Sequence, residues 1–101
     1  MSAQDDPQLR RFHFILFVAG DTPNSARARV NLNALCRRHI AHRHEIEIVD
    51  VLQSPGRALA DGVFMTPTLV CTAPGAVRKV VGSLSDAQVV LGVLGIDAVA
   101  P

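Results

Sequence analysis

The feature that most constrains this chain lies at residues 12 to 27, where the signal for a buried strand runs straight into the signal for a helix. Phe12 to Val18 (FHFILFV) is apolar throughout except for His13. A continuous run of that kind fits a strand covered on both faces. Ala19-Gly20-Asp21 ends it. Thr22 then stands at a helix cap and Pro23 at the first helical position, where its missing N–H costs nothing. The helix is expected to run to about Arg38. Ala28, Leu32, Leu35, Cys36 and His39 recur on one face, with Arg27, Asn31 and Arg38 toward other sides. Arg37 and Arg38 in the last turn complement the helix dipole. Residues 44 to 51 (HEIEIVDV) then alternate, Glu45 and Glu47 one way and Ile46 and Ile48 the other. That pattern predicts a strand with one wet face near a sheet edge. Strand, helix and strand in so short a span imply a right-handed βαβ unit with a parallel strand pair.

The second half repeats the helix-opening signal. Ser54-Pro55 predicts a short helix that stops by Gly62. Thr68 to Thr72 (TLVCT) and Val77 to Val81 (VRKVV) read as a hairpin around Ala73-Pro74-Gly75-Ala76. Thr66-Pro67 places a proline just before the first of these strands, where proline is tolerated and where cis X-Pro bonds occur. Ser85 with Gln88 suggests a capping box opening a last helix that ends at Gly95. That helix is weakly determined. Val89, Val90 and Val93 are β-branched, and Gly92 costs close to 1 kcal/mol relative to Ala. The same letters would serve in a strand, so tertiary context decides. The expected order is β-α-β-α-β-β-α, an α/β domain over residues 12 to 96, with a flexible lead-in over 1 to 11 and a tail over 97 to 101.

Composition narrows the function classes. With 101 residues, 49% hydrophobic and 19% charged, the chain is a globular domain rather than a disordered one. A formal net charge of +1 gives no reason to expect a nucleic-acid or membrane partner. The basic residues are arginines apart from Lys79. Cys36 and Cys71 fit no CxxC redox motif and no zinc-knuckle pattern. With a polar first ten residues and no apolar run long enough to span a bilayer, a cytoplasmic protein with reduced thiols is expected.

The element order, with Thr-Pro-Thr before the hairpin, resembles the thioredoxin fold. In that fold a reactive CxxC occupies the first strand-to-helix turn and faces a cis-proline. Here the turn reads Gly20-Asp21-Thr22-Pro23-Asn24-Ser25, with no cysteine. A closer resemblance is to the KaiB family. Phe17 to Ser25 (FVAGDTPNS) is similar to its signature, usually YVAGNTPNS. Val49-Asp50-Val51-Leu52, Thr66-Pro67-Thr68-Leu69 and Gly82-Ser83-Leu84-Ser85 follow in the family's order and spacing. The resemblance implies a non-catalytic protein that docks on KaiC, a RecA-like ring ATPase and autokinase of the circadian oscillator. It also implies dimers or tetramers, no cofactor, and two folds of the C-terminal half, of which the thioredoxin-like one binds KaiC. Arg27, Arg78 and Lys79 match basic positions of the family and are the candidate partner contacts. Gly20, Thr22, Pro23 and Pro67 are the candidate structural residues. The family carries basic residues near Glu47, Gln53 and Gly62, an acidic C-terminal tail, and GDLS where this chain has Gly82-Ser83-Leu84-Ser85. These departures suggest a divergent homologue whose partner has altered charge. KaiB-like domains also open some histidine kinases; ending at Pro101, this chain is expected to stand alone.

Plainer readings stand beside these. Gly20, Thr22 and Pro23 would serve equally to stop a strand and start a helix. Each of Arg27, Arg78 and Lys79 taken alone is a solvated cation. Cys36, His39, His42 and His44 have a C-x2-H-x2-H-x-H spacing that zinc accepts, but a helix C-terminus with solvated histidines accounts for it and no metal is assigned. Cys71 reads as a small buried strand residue rather than a nucleophile. The rival functional class is a thioredoxin-fold thiol oxidoreductase or a glutathione-dependent enzyme. It is disfavoured by the missing cysteine at the first turn.

Overall fold

The computed structural model describes residues 10–97. Its elements follow in the expected order: β1 (Phe12–Val18), α1 (Pro23–His39), β2 (His44–Asp50), α2 (Pro55–Ala60), β3 (Thr68–Ala73), β4 (Arg78–Val81) and α3 (Ala87–Leu94). The lead-in and tail expected at the two ends fall outside the described residues, apart from Arg10, Arg11 and Asp97.

The four strands form one sheet in the order β2-β1-β3-β4. β1 pairs with β2 in parallel, Phe12 opposite His44 through Val18 opposite Asp50. On its other side β1 runs antiparallel to β3, with Phe17 opposite Thr68. The β3–β4 hairpin is antiparallel, with Thr68 opposite Val81. β1 is therefore central, which is why it reads as an unbroken apolar run. Phe14, Leu16, Phe17 and Val18 are buried almost completely. Each such side chain contributes on the order of 1.5–3 kcal/mol of apolar burial.

Alternation along the strands sends side chains to two cores. Phe12, Phe14, Leu16, Val18, Leu69 and Cys71 pack with the inner faces of α1 and α3, represented by Ala28, Leu32, Leu35, Cys36, Val90, Leu91 and Leu94. Phe17, Val49 and Val70 face the other way, onto Ala58 of α2 and Val63. The smaller core reflects the length of α2, six residues against seventeen for α1.

Three local expectations need correction. Thr22 occupies the cap of α1, but its side chain makes no capping bond to the backbone. Its hydroxyl donates instead to Ser25 Oγ at 2.8 Å. The last helix is capped by Asp86, not by the Ser85–Gln88 box: Val89 N–H donates to Asp86 Oδ1 at 3.2 Å. An aspartate one residue further on competes successfully, because a carboxylate accepts from a backbone N–H more strongly than a hydroxyl does. Ser85 pairs with Ser83 instead, hydroxyl to hydroxyl at 3.0 Å. Finally, β2 is the edge strand its alternation predicts, yet Ile48 on the supposed inner side is 40% exposed. At an edge strand the covering layer ends before the strand does.

α3 is helical despite its β-branched letters. Val90, Leu91 and Leu94 reach the core, and Gly95 closes the helix at φ 69°. Gly92 lies on the exposed side, and a methyl group there would meet nothing within 4 Å. Gly92→Ala is therefore expected to stabilise the domain by about 0.5–1 kcal/mol. In thermal unfolding this reads as a Tm rise of a few degrees; an unchanged or lower Tm would contradict the helical assignment.

Candidate functional site

The end of the sheet where β1 leaves for α1 holds Gly20, Thr22, Pro23 and Pro67. Gly20 turns the chain at φ 53°. Its N–H donates to Asp50 Oδ1 at 3.2 Å, and the same oxygen accepts from Leu52 N–H at 2.9 Å. On the other side of the turn, Ser25 Oγ accepts from Ala19 N–H at 3.1 Å as well as from Thr22. Ser25 is completely buried. The turn is thus clamped by one carboxylate from the end of β2 and one hydroxyl from α1. Sequence reasoning missed both roles. Asp50 lies inside the VDVL motif and Ser25 ends the FVAGDTPNS motif, so the signal was the motif rather than the residue type.

The Thr66–Pro67 bond is cis. Because Phe17 pairs with Thr68, Pro67 stands beside the last residues of β1 and the turn that follows. Its carbonyl accepts from Gly82 N–H at 2.9 Å. Turn and proline are thus neighbours, as the thioredoxin resemblance implies.

No reactive sulfur accompanies them. Cys36 and Cys71 are both fully buried in the larger core. Burial pushes the Cys36 thiol up to about 12. Burial also raises Cys71, against the smaller opposing effect of the nearby Arg78. Neither sulfur is a ready thiolate at neutral pH. The same burial separates Cys36 from the histidines that follow it. His42 is exposed in a left-handed turn at φ 63°, and His44 Nδ1 lies 2.9 Å from the Ile40 carbonyl. Among the described residues, no three His, Cys, Asp or Glu side chains converge to hold a metal.

What the site does present is apolar surface. Leu59, Phe64 and Met65 are 71%, 84% and 64% exposed. With Val51, Pro55, Ala58, Val63 and Thr66 they line a shallow hollow of about 350 Å³ between α2 and the cis-proline. Charges border it. Arg57 donates to both oxygens of Glu47, at 2.9 and 3.1 Å. The Arg57 hydrogen bond holds the Glu47 carboxyl below its usual range. The acidic residue expected to reverse the family's charge is therefore already paired within the chain.

The three candidate cations are not gathered on one face. Arg27 is exposed on α1, donating to Asn24 Oδ1 at 2.8 Å. Arg78 and Lys79 are neighbours on β4 and so point to opposite faces of the sheet. Arg78 turns toward α3, where its guanidinium donates to the carbonyls of Leu94 and Pro74, and to Ala76 at 3.1 Å. These bonds tie the hairpin to the C-terminus of α3. Lys79 turns toward α2 and donates to the Asp61 carbonyl at 2.8 Å. Its ammonium remains exposed, near the apolar hollow, and a methyl group at Gly62 would meet it at 3.4 Å.

A family model described as the KaiB domain matches residues 15–96. The chain belongs to the KaiB family. A relative from Cyanothece sp., named circadian clock oscillator protein KaiB, is 38% identical over 90% of this chain and 85% of its own length. One of the same name from Acaryochloris marina is 42% identical, over 81% of this chain and 77% of its own. These KaiB relatives are named as oscillator proteins, not as enzymes. Among solved structures, a thioredoxin from Halobacterium salinarum superposes with a TM-score of 0.69 at 20% identity, over 91% of this chain and 80% of that one. The N-terminal domain of Synechococcus elongatus SasA gives 0.67 at 20% identity, over 99% and 97%. At such identities the likeness is one of fold, and it places this KaiB chain in the thioredoxin-like arrangement.

Two outcomes follow for the charged residues. Arg78→Ala leaves the carbonyls of Leu94 on α3 and of Pro74 and Ala76 in the hairpin turn without their donor, and is expected to cost about 1–3 kcal/mol in chemical denaturation. Arg78→Lys should recover only part, since an ammonium cannot span the same carbonyls. Glu47 has a depressed folded-state pKa, so its contribution is present above the ordinary carboxylate range and is lost as pH falls through the folded value. NMR titration of the Glu47 carboxyl should show the low value, and Arg57→Ala should return it to the ordinary range.

Proposed function

We propose that this chain is a non-catalytic KaiB-type binding module that docks on a KaiC-type RecA-like ATPase and autokinase. The observation that carries the reading is the exposed cluster of Leu59, Phe64 and Met65 beside the cis-proline. Large apolar side chains grouped around a hollow lose free energy to water that a partner surface recovers. They lie beside the Thr66–Pro67 bond, and both thiols of this chain are buried elsewhere. Lys79 and Arg27 are then rim charges, while Arg78 acts indirectly by holding the hairpin to α3. The paired Glu47–Arg57 presents a near-neutral rim where other family members are basic, which suits a partner less acidic at that point.

The reading includes a cytoplasmic location and a second arrangement of the C-terminal half in a dimer or tetramer, with the thioredoxin-like form as the one that docks. Support for two arrangements is local: Val89, Val90, Gly92 and Val93 are poor helix formers held helical by packing. Among the described residues no helix is long and apolar enough to cross a membrane.

The test is binding of the purified chain to the KaiC-type ATPase of its own organism, by interferometry with ATP present. Phe64→Ser with Met65→Ser is expected to weaken the complex by at least about tenfold, with unchanged thermal unfolding. Absence of any complex, or a double variant that binds like the parent, would refute the reading. Insulin reduction with dithiothreitol should stay at background; turnover lost in Cys71→Ser would establish a thiol enzyme instead.

A further inference from the structure

The molecule carries a second surface that the docking site does not use. Residues 22 to 44 contain Arg27, Arg29, Arg37, Arg38 and Arg43 with three histidines, and no Asp or Glu. Half of the chain's ten basic residues thus lie on α1 and the turn after it. A solvated helix face normally mixes charge signs, because i,i+4 ion pairs stabilise it and like charges do the opposite. α1 has no such pairs, and no acidic residue in its first turn. Its dipole explains part of the arrangement, but a helix C-terminus carries only about half a negative charge. Arg37 and Arg38 in its last turn bring two positive ones. Arg37 and Arg38 are exposed and take part in none of the ion pairs found among the described residues.

Between these arginines runs a narrow apolar seam. Ala26, Val30 and Ala34 recur every fourth residue, all exposed, with Val30 at 68%. They lie opposite the buried side of α1, made of Ser25, Ala28, Leu32, Leu35 and Cys36. Small residues along one line let a second helix approach to within about 8–10 Å. We propose that the outer face of α1 docks an amphipathic helix of a partner protein, with small or aliphatic residues on the seam and Asp or Glu on both flanks. Arginine favours this occupant, since its planar fork pairs two oxygens of a carboxylate. A nucleic acid is the weaker match. The net charge of +1 gives little long-range field, Glu45 and Glu47 populate the opposite side of the sheet, and the face has no aromatic residue for base stacking.

The test uses the full chain and fluorescence anisotropy. The probes are a synthetic helical peptide of roughly three heptads with a Leu/Ala seam flanked by Glu, the same peptide with Gln for Glu, and a DNA duplex of about 20 base pairs. The Glu peptide should bind, weaken as salt rises from about 50 to 300 mM, and exceed the Gln peptide and the duplex by at least about tenfold. Arg37→Glu with Arg38→Glu should abolish the preference for Glu over Gln, and Val30→Asp should weaken the Glu peptide, each with native circular dichroism. Phe64→Ser, at the other surface, should leave this binding unchanged. Equal binding of the two peptides, tighter binding of the duplex, or a charge-reversed protein that behaves like the parent would each overturn the proposal.

Discussion

Everything in this domain depends on β1 being hydrogen-bonded on both sides. Its parallel partner β2 and antiparallel partner β3 leave it no edge, and its side chains fill the cores on both faces of the sheet. Two consequences follow for function. The chain leaving β1 emerges in the middle of the sheet end rather than at a margin, so the Gly20 turn is held from both flanks by Asp50 and Ser25. The register of β3 against β1 also sets Pro67 beside that turn. A binding surface built there rests on a turn and a proline tied to the central strand.

The hairpin shows how the same pleat distributes charge. Arg78 and Lys79 are adjacent in the chain, and a strand must send adjacent side chains to opposite faces. Each then finds the carbonyl end of a different helix, Arg78 that of α3 and Lys79 that of α2. Two cations that look like a surface pair are in fact two separate fastenings, placed where a helix dipole favours positive charge. The half-buried guanidinium has the larger structural role; the ammonium keeps enough exposure to meet a partner.

Charge elsewhere is handled in two ways. On the α2 side the carboxylates are paired: Glu47 takes both arms of Arg57, and Glu45 lies 3.0 Å from His13 and 3.4 Å from Arg11. Along α1, Arg37 and Arg38 take part in none of the ion pairs found among the described residues. A nearly neutral chain therefore has a basic side and a balanced side, with the exposed apolar cluster bordering the balanced one. Recognition at the cluster then rests on shape and apolar contact, while recognition at α1 rests on carboxylates.

Element types and order were legible in the sequence because they follow from local rules. Apolar continuity marked β1, alternation marked β2, Thr-Pro and Ser-Pro marked the helix starts, and the motifs from Phe17 to Ser85 pointed to the family. What tertiary structure alone decided were the interactions between residues distant in the chain. Asp50 reaches back to Gly20, Arg57 closes on Glu47, and Arg78 finds Leu94; none of these partners is marked by spacing or residue type. The exposure of Phe64 and Met65 was equally hidden, since an apolar letter carries no record of whether a neighbouring layer extends far enough to cover it. At α3 the expected helix was weakly determined, its letters fitting a strand as well, and it exists because Val90, Leu91 and Leu94 gain more by packing on the sheet than the backbone loses by coiling.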